Sequence, residues 1–269
     1  MRVRRRGFIA VLGGAAAWPL AGHAQQPERL RRIGVLSSFA ENDPAVRESM
    51  TAFARTLQSL GWVEGKNLRI DYRFAAGDPA LYKTYAAELV GLSPDAILAS
   101  TLPAIMALRG QTRTIPIVFV LVLDPVGQGL VRSLARPGGN ITGFGAFDPT
   151  IVGKWLQLLK EIAPGVMRVT VVFNPDTATD APLYNRVIGA AAPSFGITAT
   201  LAPVHDDAGI EEAIATLARE PGGGLMVLPG VLNNARRGVI AAAAVRYCIP
   251  SIAWHTLSRA GVLLSYWFD

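Results

Sequence analysis

Side chains that make or break covalent bonds are scarce in this sequence, and they form no known catalytic pattern. His205 precedes Asp206 and Asp207, which suggests a metal cluster, but adjacent residues seldom converge on one ion. Asp207 with Glu211 and Glu212 reads better as the acidic start of a helix. His255 lies just past an apolar run at 249–252, with no acid or nucleophile near it in sequence to make it a general base. Cys248 is the single cysteine, so no internal disulfide can form, and its apolar neighbours predict a packed thiol rather than a nucleophile. Gly127-Gln128-Gly129 opens like a dinucleotide loop, but Arg132 stands where the third glycine would allow close helix–strand packing. No catalytic residue, metal or cofactor is expected.

Binding a solute asks for less. Small polar residues follow the apolar runs: Ser37 and Ser38, Ser100 and Thr101, Asp124, Asn174, Asn233 beside Asn234, and His255. Each can donate or accept hydrogen bonds, and each could equally cap a helix or shape a turn. Their shared position at strand ends favours a ligand site among them, because open α/β sheets bind ligands outside the carboxyl ends of their strands.

The elements that would place these residues are readable in outline. Strands are predicted at 33–36, 68–72, 96–99, 117–121, 169–173, 198–201, 225–228 and 249–252. Most are unbroken apolar runs, as in parallel strands covered on both faces. Between them run helical stripes such as Val46, Met50, Phe53, Leu57 and Leu60, closed by Gly61, or Ile151, Trp155, Leu158 and Ile162. Asp43-Pro44, Asp78-Pro79 and Asp148-Pro149 put a capping carboxylate before a proline, which loses no bond at a first helical position. Asp124-Pro125 and Asn174-Pro175 repeat the pattern after strands. This strand–cap–helix–strand grammar predicts an α/β fold of two doubly wound, Rossmann-like lobes with parallel sheets. The turn-rich 136–143 stretch marks the first crossing, giving lobes at 30–145 and 146–264.

Residues 1–24 read as an export signal. Arg2, Arg4, Arg5 and Arg6 precede thirteen residues of apolar character, fewer than the roughly 20 needed to span a bilayer, and Ala21-Gly22-His23-Ala24 suits cleavage after Ala24. Arg5-Arg6 followed by Phe8 also fits a twin-arginine signal. Removing 24 of the 269 residues leaves 245, and the 26 basic and 20 acidic residues become 22 and 20, a net +2. Basicity is therefore an export feature and indicates no nucleic-acid partner. No mature stretch is long and apolar enough to be transmembrane, so a periplasmic monomer is expected.

Several stretches resemble one family: 32–38 (Arg-Ile-Gly-Val-Leu-Ser-Ser), 61–67 (Gly-Trp-Val-Glu-Gly-Lys-Asn), 124–127 with 136–143, 174–176 and 219–224. Together they are similar to ABC transporter substrate-binding proteins related to tryptophan and tyrosine uptake receptors. That resemblance implies a type I periplasmic-binding architecture, with two lobes closing over a small solute that is passed to a permease and its ATPase. It also implies ligand contacts from the loops after Ser37-Ser38, Ser100-Thr101, Asp124 and Asn174. An exported α/β enzyme, or a ligand-sensing module for a membrane sensor, are the alternatives. The sequence departs from the family's Ser-Tyr-Gly-Pro-Asp at Ser265-Tyr266-Trp267-Phe268-Asp269, and relatives continue beyond this point. The resemblance implies that 265–269 start the return crossing, and a missing remainder of the first lobe would uncover an apolar face there and lower stability.

Overall fold

A computed structural model describes residues 30–146, 149–254, 257 and 259–266. The apolar runs become two five-stranded sheets. β1 (Arg31–Ser37), β2 (Leu68–Phe74), β3 (Ala96–Ser100), β4 (Ile117–Val122) and β5 (Ile141–Gly145) lie in the order β2-β1-β3-β4-β5. β6 (Arg168–Phe173), β7 (Thr198–Pro203), β8 (Gly223–Val227), β9 (Ser251–Ala253) and β10 (Leu264–Ser265) lie in the order β7-β6-β8-β9-β10. Every pairing is parallel, so the second sheet repeats the winding of the first. All ten strands therefore direct their carboxyl ends to one end of their own sheet.

The connections are α1 (Pro44–Ser59), α2 (Pro79–Gly91) and α3 (Thr101–Gln111) in the first lobe. In the second they are α4 (Ile151–Ile162), α5 (Ala181–Ala191), α6 (Asp207–Ala218), α7 (Val231–Ala235) and α8 (Arg237–Arg246). Asp43 and Asp78 cap α1 and α2, accepting the Ala45 and Ala80 N–H groups at 2.9 and 2.8 Å, with proline at the first helical position. Asp148 lies outside the described residues, and α4 starts after Thr150, which makes no side-chain cap. Asp124 and Asn174 do not start helices. Each side-chain oxygen instead accepts the N–H three residues on, from Gly127 and Thr177, and closes a tight turn. Asp206, rather than Asp207, caps α6 through Gly209 N–H.

Two strands escape sequence reading. β5 carries two glycines among its five residues, and β10 is only two residues long. β9 begins two residues later than its apolar run because 247–249 form the turn that closes α8. Ile249 N–H bonds back to Ala244 C=O, and Cys248 turns the chain at φ 51°. Cys248 is consequently exposed, which corrects the expectation of a packed thiol.

The second lobe has one continuous core, in which Trp155, Tyr184, Ile214, Leu225 and Ile252 are buried from both sides of the sheet. The first lobe's core is divided. α2 and α3 cover Ile97, Ile117 and Phe119 on one face, while Met50, Phe53 and Leu57 of α1 cover Val35, Leu68 and Ile70 on the other. Leu60, the last residue of the α1 stripe, lies past the sheet and is 69% exposed.

Candidate ligand-binding cleft

The carboxyl ends of strands from the two sheets meet at a cleft. From the first lobe come Phe39 after β1, Thr101 after β3, Leu121 at the end of β4 and Gln128 from the following turn. From the second come Thr177 to Asp180 after β6, Tyr184 of α5, Gly230 and Val231 after β8, and Trp254 after β9. Ala146, where the chain leaves β5, stands between them, held by its N–H to Val122 C=O at 2.7 Å. This is the strand-tip position in which open α/β sheets hold ligands.

Two cleft residues have an uncommon backbone. Thr101 has φ 67° and Leu121 φ 57°, left-handed conformations that a β-branched or bulky side chain adopts at a cost of order 1–3 kcal/mol. Such a cost persists where the surroundings over-determine the geometry, and around Thr101 they do. Ser38 N–H donates to Ser100 Oγ at 3.0 Å, and Ser38 Oγ donates to Ser100 C=O at 2.8 Å. Ser38 Oγ also shares a 2.6 Å hydrogen bond with Thr101 Oγ1. The tips of β1 and β3 are thereby locked together and Thr101 is aimed at the cleft.

The expected site residues sort into three placements. Thr101 lines the cleft. Ser37, Ser38 and Ser100 stand behind it; Ser37 is buried, its Oγ accepting the Phe39 N–H at 3.2 Å. Asn174 and Asn233 hold the loops that line it. Asn174 Nδ2 donates to Val204 C=O while its Oδ1 accepts both the N–H and the hydroxyl of Thr177. Buried Asn233 donates to Val172 C=O and Leu228 C=O, fixing the approach to Gly230. Asp124 is exposed and engaged in its own turn at φ 43°, leaving the adjacent Gln128 to face the cleft. His255 lies outside the described residues. His205 pairs with Asp176 at 2.9 Å on the surface.

Sequence reading missed most of the cleft lining, including Gln128, Tyr184, Trp254 and the carboxylate Asp180. It follows no strand directly, and in Asp180-Ala181-Pro182 the proline sits one position later than in the other capping pairs, which was its available signal. It occupies the N-cap of α5 without capping it. Burial lifts its carboxyl to about 6, offset only in part by its own backbone N–H. Tyr184, packed beside it, is pushed well above the usual phenol range by burial and then by the Asp180 charge.

Direct contacts join the lobes at the rim. Asp43 is buried, and its Oδ2 accepts Asn234 Nδ2 at 2.7 Å and Arg237 Nη1 at 2.9 Å from the opposite lobe. Nearby, Phe39 and Val46 pack on Val231. Gly77, at φ 83°, comes so close that a Cβ there would lie 3.2 Å from Val231 and 3.4 Å from Thr177. The lobes are closed on one another in this structure.

Known proteins share this arrangement. A conserved domain protein from Vibrio cholerae superposes with a TM-score of 0.80 at 30% identity, over 90% of this chain and 80% of that one. A Streptococcus pneumoniae ABC domain in complex with L-Trp superposes at 0.78 and 20% identity, over 89% and 79%. A tyrosine-binding protein of Clostridioides difficile is 32% identical over 147 residues, 55% of this chain and 41% of that protein, so the match spans less than half of that relative. Residues 33–269 match the ABC transporter substrate binding protein family. With two parallel-sheet lobes of a type I periplasmic-binding-like fold meeting at one cleft, the chain belongs to this extracytoplasmic family of ABC transporter substrate-binding proteins.

Proposed function

We propose that the protein is the solute receptor of an ABC importer, and that it holds a small polar or amino-acid-like molecule in the interlobe cleft. In this reading the signal is cleaved after Ala24, the mature chain works as a periplasmic monomer, and it delivers its solute to a permease and ATPase without chemically changing it. The observation that carries the proposal is the convergence of strand tips from both lobes on one cleft, with Thr101 and Leu121 held there in strained backbone conformations. The tryptophan complex and the tyrosine-binding relative support an amino-acid-like solute. Among the described residues no helix is long and apolar enough to cross a membrane, which agrees with a receptor that needs a separate permease.

The test is a melting screen of amino acids and small organic acids on residues 25–269, followed by solution scattering with each stabilising compound. A solute present at 100 times its Kd should add about 2.7 kcal/mol, and scattering should show no expansion on binding. The recovered solute should be unchanged after prolonged incubation. Conversion of the solute would replace the receptor with an enzyme, and the absence of any stabilising solute would remove the proposal.

A further inference from the structure

A groove of about 460 Å³ runs between α1 and β2 and shares no lining residue with the interlobe cleft. Buried Leu68 and Ile70 form its floor, and Met50, Arg55, Trp62 and Tyr72 also line it. Aromatic residues, methionine and arginine are the types enriched where proteins meet. Trp62 is 40% exposed, yet the 61–67 loop that carries it is braced. Trp62 N–H donates to Leu57 C=O at 2.9 Å. Asn67 spans the loop, its Oδ1 accepting Val63 N–H at 2.7 Å and its Nδ2 donating to Gly61 C=O at 2.9 Å.

β2 is an edge strand, paired only with β1. Successive strand residues turn their N–H and C=O groups to opposite sides, and here the bonds fix which side is which. Asn67 C=O and Ala75 N–H face β1, bonding Arg31 N–H and Ser37 C=O. Leu68 faces outward, its N–H donating to Val63 C=O and its C=O accepting Gly65 N–H. The loop thus begins an outer strand, with Glu64 opposite Leu68, and goes no further. By the same alternation Ile70 and Tyr72 also face outward. Among the described residues Ile70 N–H, Ile70 C=O and Tyr72 N–H meet no partner there, while Tyr72 C=O takes one bond from Arg73 Nη1 and keeps a second lone pair. Such a row of open groups is a template for another strand.

We propose that the β2 edge receives an extended peptide segment of a partner protein, which continues the outer strand antiparallel along Ile70 and Tyr72 and turns an apolar side chain into the groove. A residue that exchanges both bonds with Ile70 carries its side chain on the same face as Ile70, the face that α1 covers. The positions that add backbone hydrogen bonds are therefore the ones that fill the groove, which is how strand addition combines affinity with side-chain selection. Arg55 and Glu64 line the groove with no ion-pair partner among the described residues, so the fitting segment flanks its apolar residue with one acidic and one basic side chain. This edge works independently of what the cleft holds.

The probes are two blocked pentapeptides, acetyl-Glu-Thr-Phe-Thr-Lys-amide and acetyl-Lys-Thr-Phe-Thr-Glu-amide, each also made with its phenylalanine nitrogen methylated. Amide hydrogen exchange and NMR shifts of the full chain are followed as each is added. At least one charge order should slow exchange at the outward Ile70 and Tyr72 amides several-fold and shift the Trp62 indole, leaving the inward Asp71 and Arg73 amides unchanged. The methylated forms lack the ladder donor and should do neither. Arg55→Glu and Trp62→Ala, both at exposed side chains, should each weaken the active peptide at least tenfold. Equal protection by a methylated form, a response confined to cleft residues such as Thr101 and Gln128, or no response to any probe would overturn the proposal. Protection of Ile70 and Tyr72 that grows with protein concentration and needs no peptide would make the occupant a second copy, and would overturn it too. The peptide comparison on the unaltered protein decides the matter even if the variants fold poorly.

Discussion

At the residue scale, the raised carboxyl of Asp180 makes stability depend on pH. A carboxyl raised from 3.8 to about 6 holds its proton more readily in the folded chain than in the unfolded one. Ionising it therefore costs folding free energy. That cost is absent below about pH 4, grows as the pH climbs through about 6, and is constant above it. A shift of this size corresponds to about 2 kcal/mol after allowance for partial solvent access. Asp180→Asn should be more stable than the parent by that amount at pH 7 and equal to it at pH 4, as measured by denaturant unfolding at both values. Asn174 makes a different contribution. Removing its side chain leaves Val204 C=O and two Thr177 donors without their partner, so Asn174→Ala should lose about 1–3 kcal/mol in the same assay.

At the element scale, α1 and the α7–α8 junction form a clasp across the cleft. One carboxylate performs both local and long-range work: Asp43 Oδ1 caps α1, and its Oδ2 receives Asn234 and Arg237 from the second lobe. The clasp stabilises the closed arrangement, and apparent affinity scales with the population of the binding-competent state. Arg237→Ala leaves the helix cap intact and removes one interlobe hydrogen bond with its charge. It should enlarge the unliganded protein in solution scattering and raise the Kd of a bound solute several-fold, with little change in the second lobe's own stability. Asp43→Ala should do the same and also lose about 1 kcal/mol from the missing cap. Comparing the two variants by melting separates closure from capping.

At the scale of the whole molecule, the two lobes share a winding but differ in how fully they are covered. The second lobe buries both faces of its sheet in one core. In the first, α1 covers the β1–β2 side of its face, and the pleat puts Val118 and Phe144 on that same face over β4 and β5. Phe144 is 73% exposed. Fewer buried apolar contacts mean easier local opening. Native-state hydrogen exchange should therefore be faster for the amides of β4 and β5 than for those of β6 and β8.

Periodicity and capping chemistry were enough to read the α/β class, the parallel strands and two helix starts, because these depend on neighbours a few residues apart. Ser38, Ser100 and Thr101 were likewise readable as strand-end polar residues, although which of them lines the cleft was not. The short strands β5 and β10 lacked an apolar run of their own and exist through pairing with β4 and β9. The tertiary structure alone decided that Asp43 spans the lobes, that Asn174 and Asn233 hold loops, and that Asp180 lines the cleft. Each of these depends on contacts between segments far apart in the chain or on burial by the opposite lobe, and local sequence encodes neither.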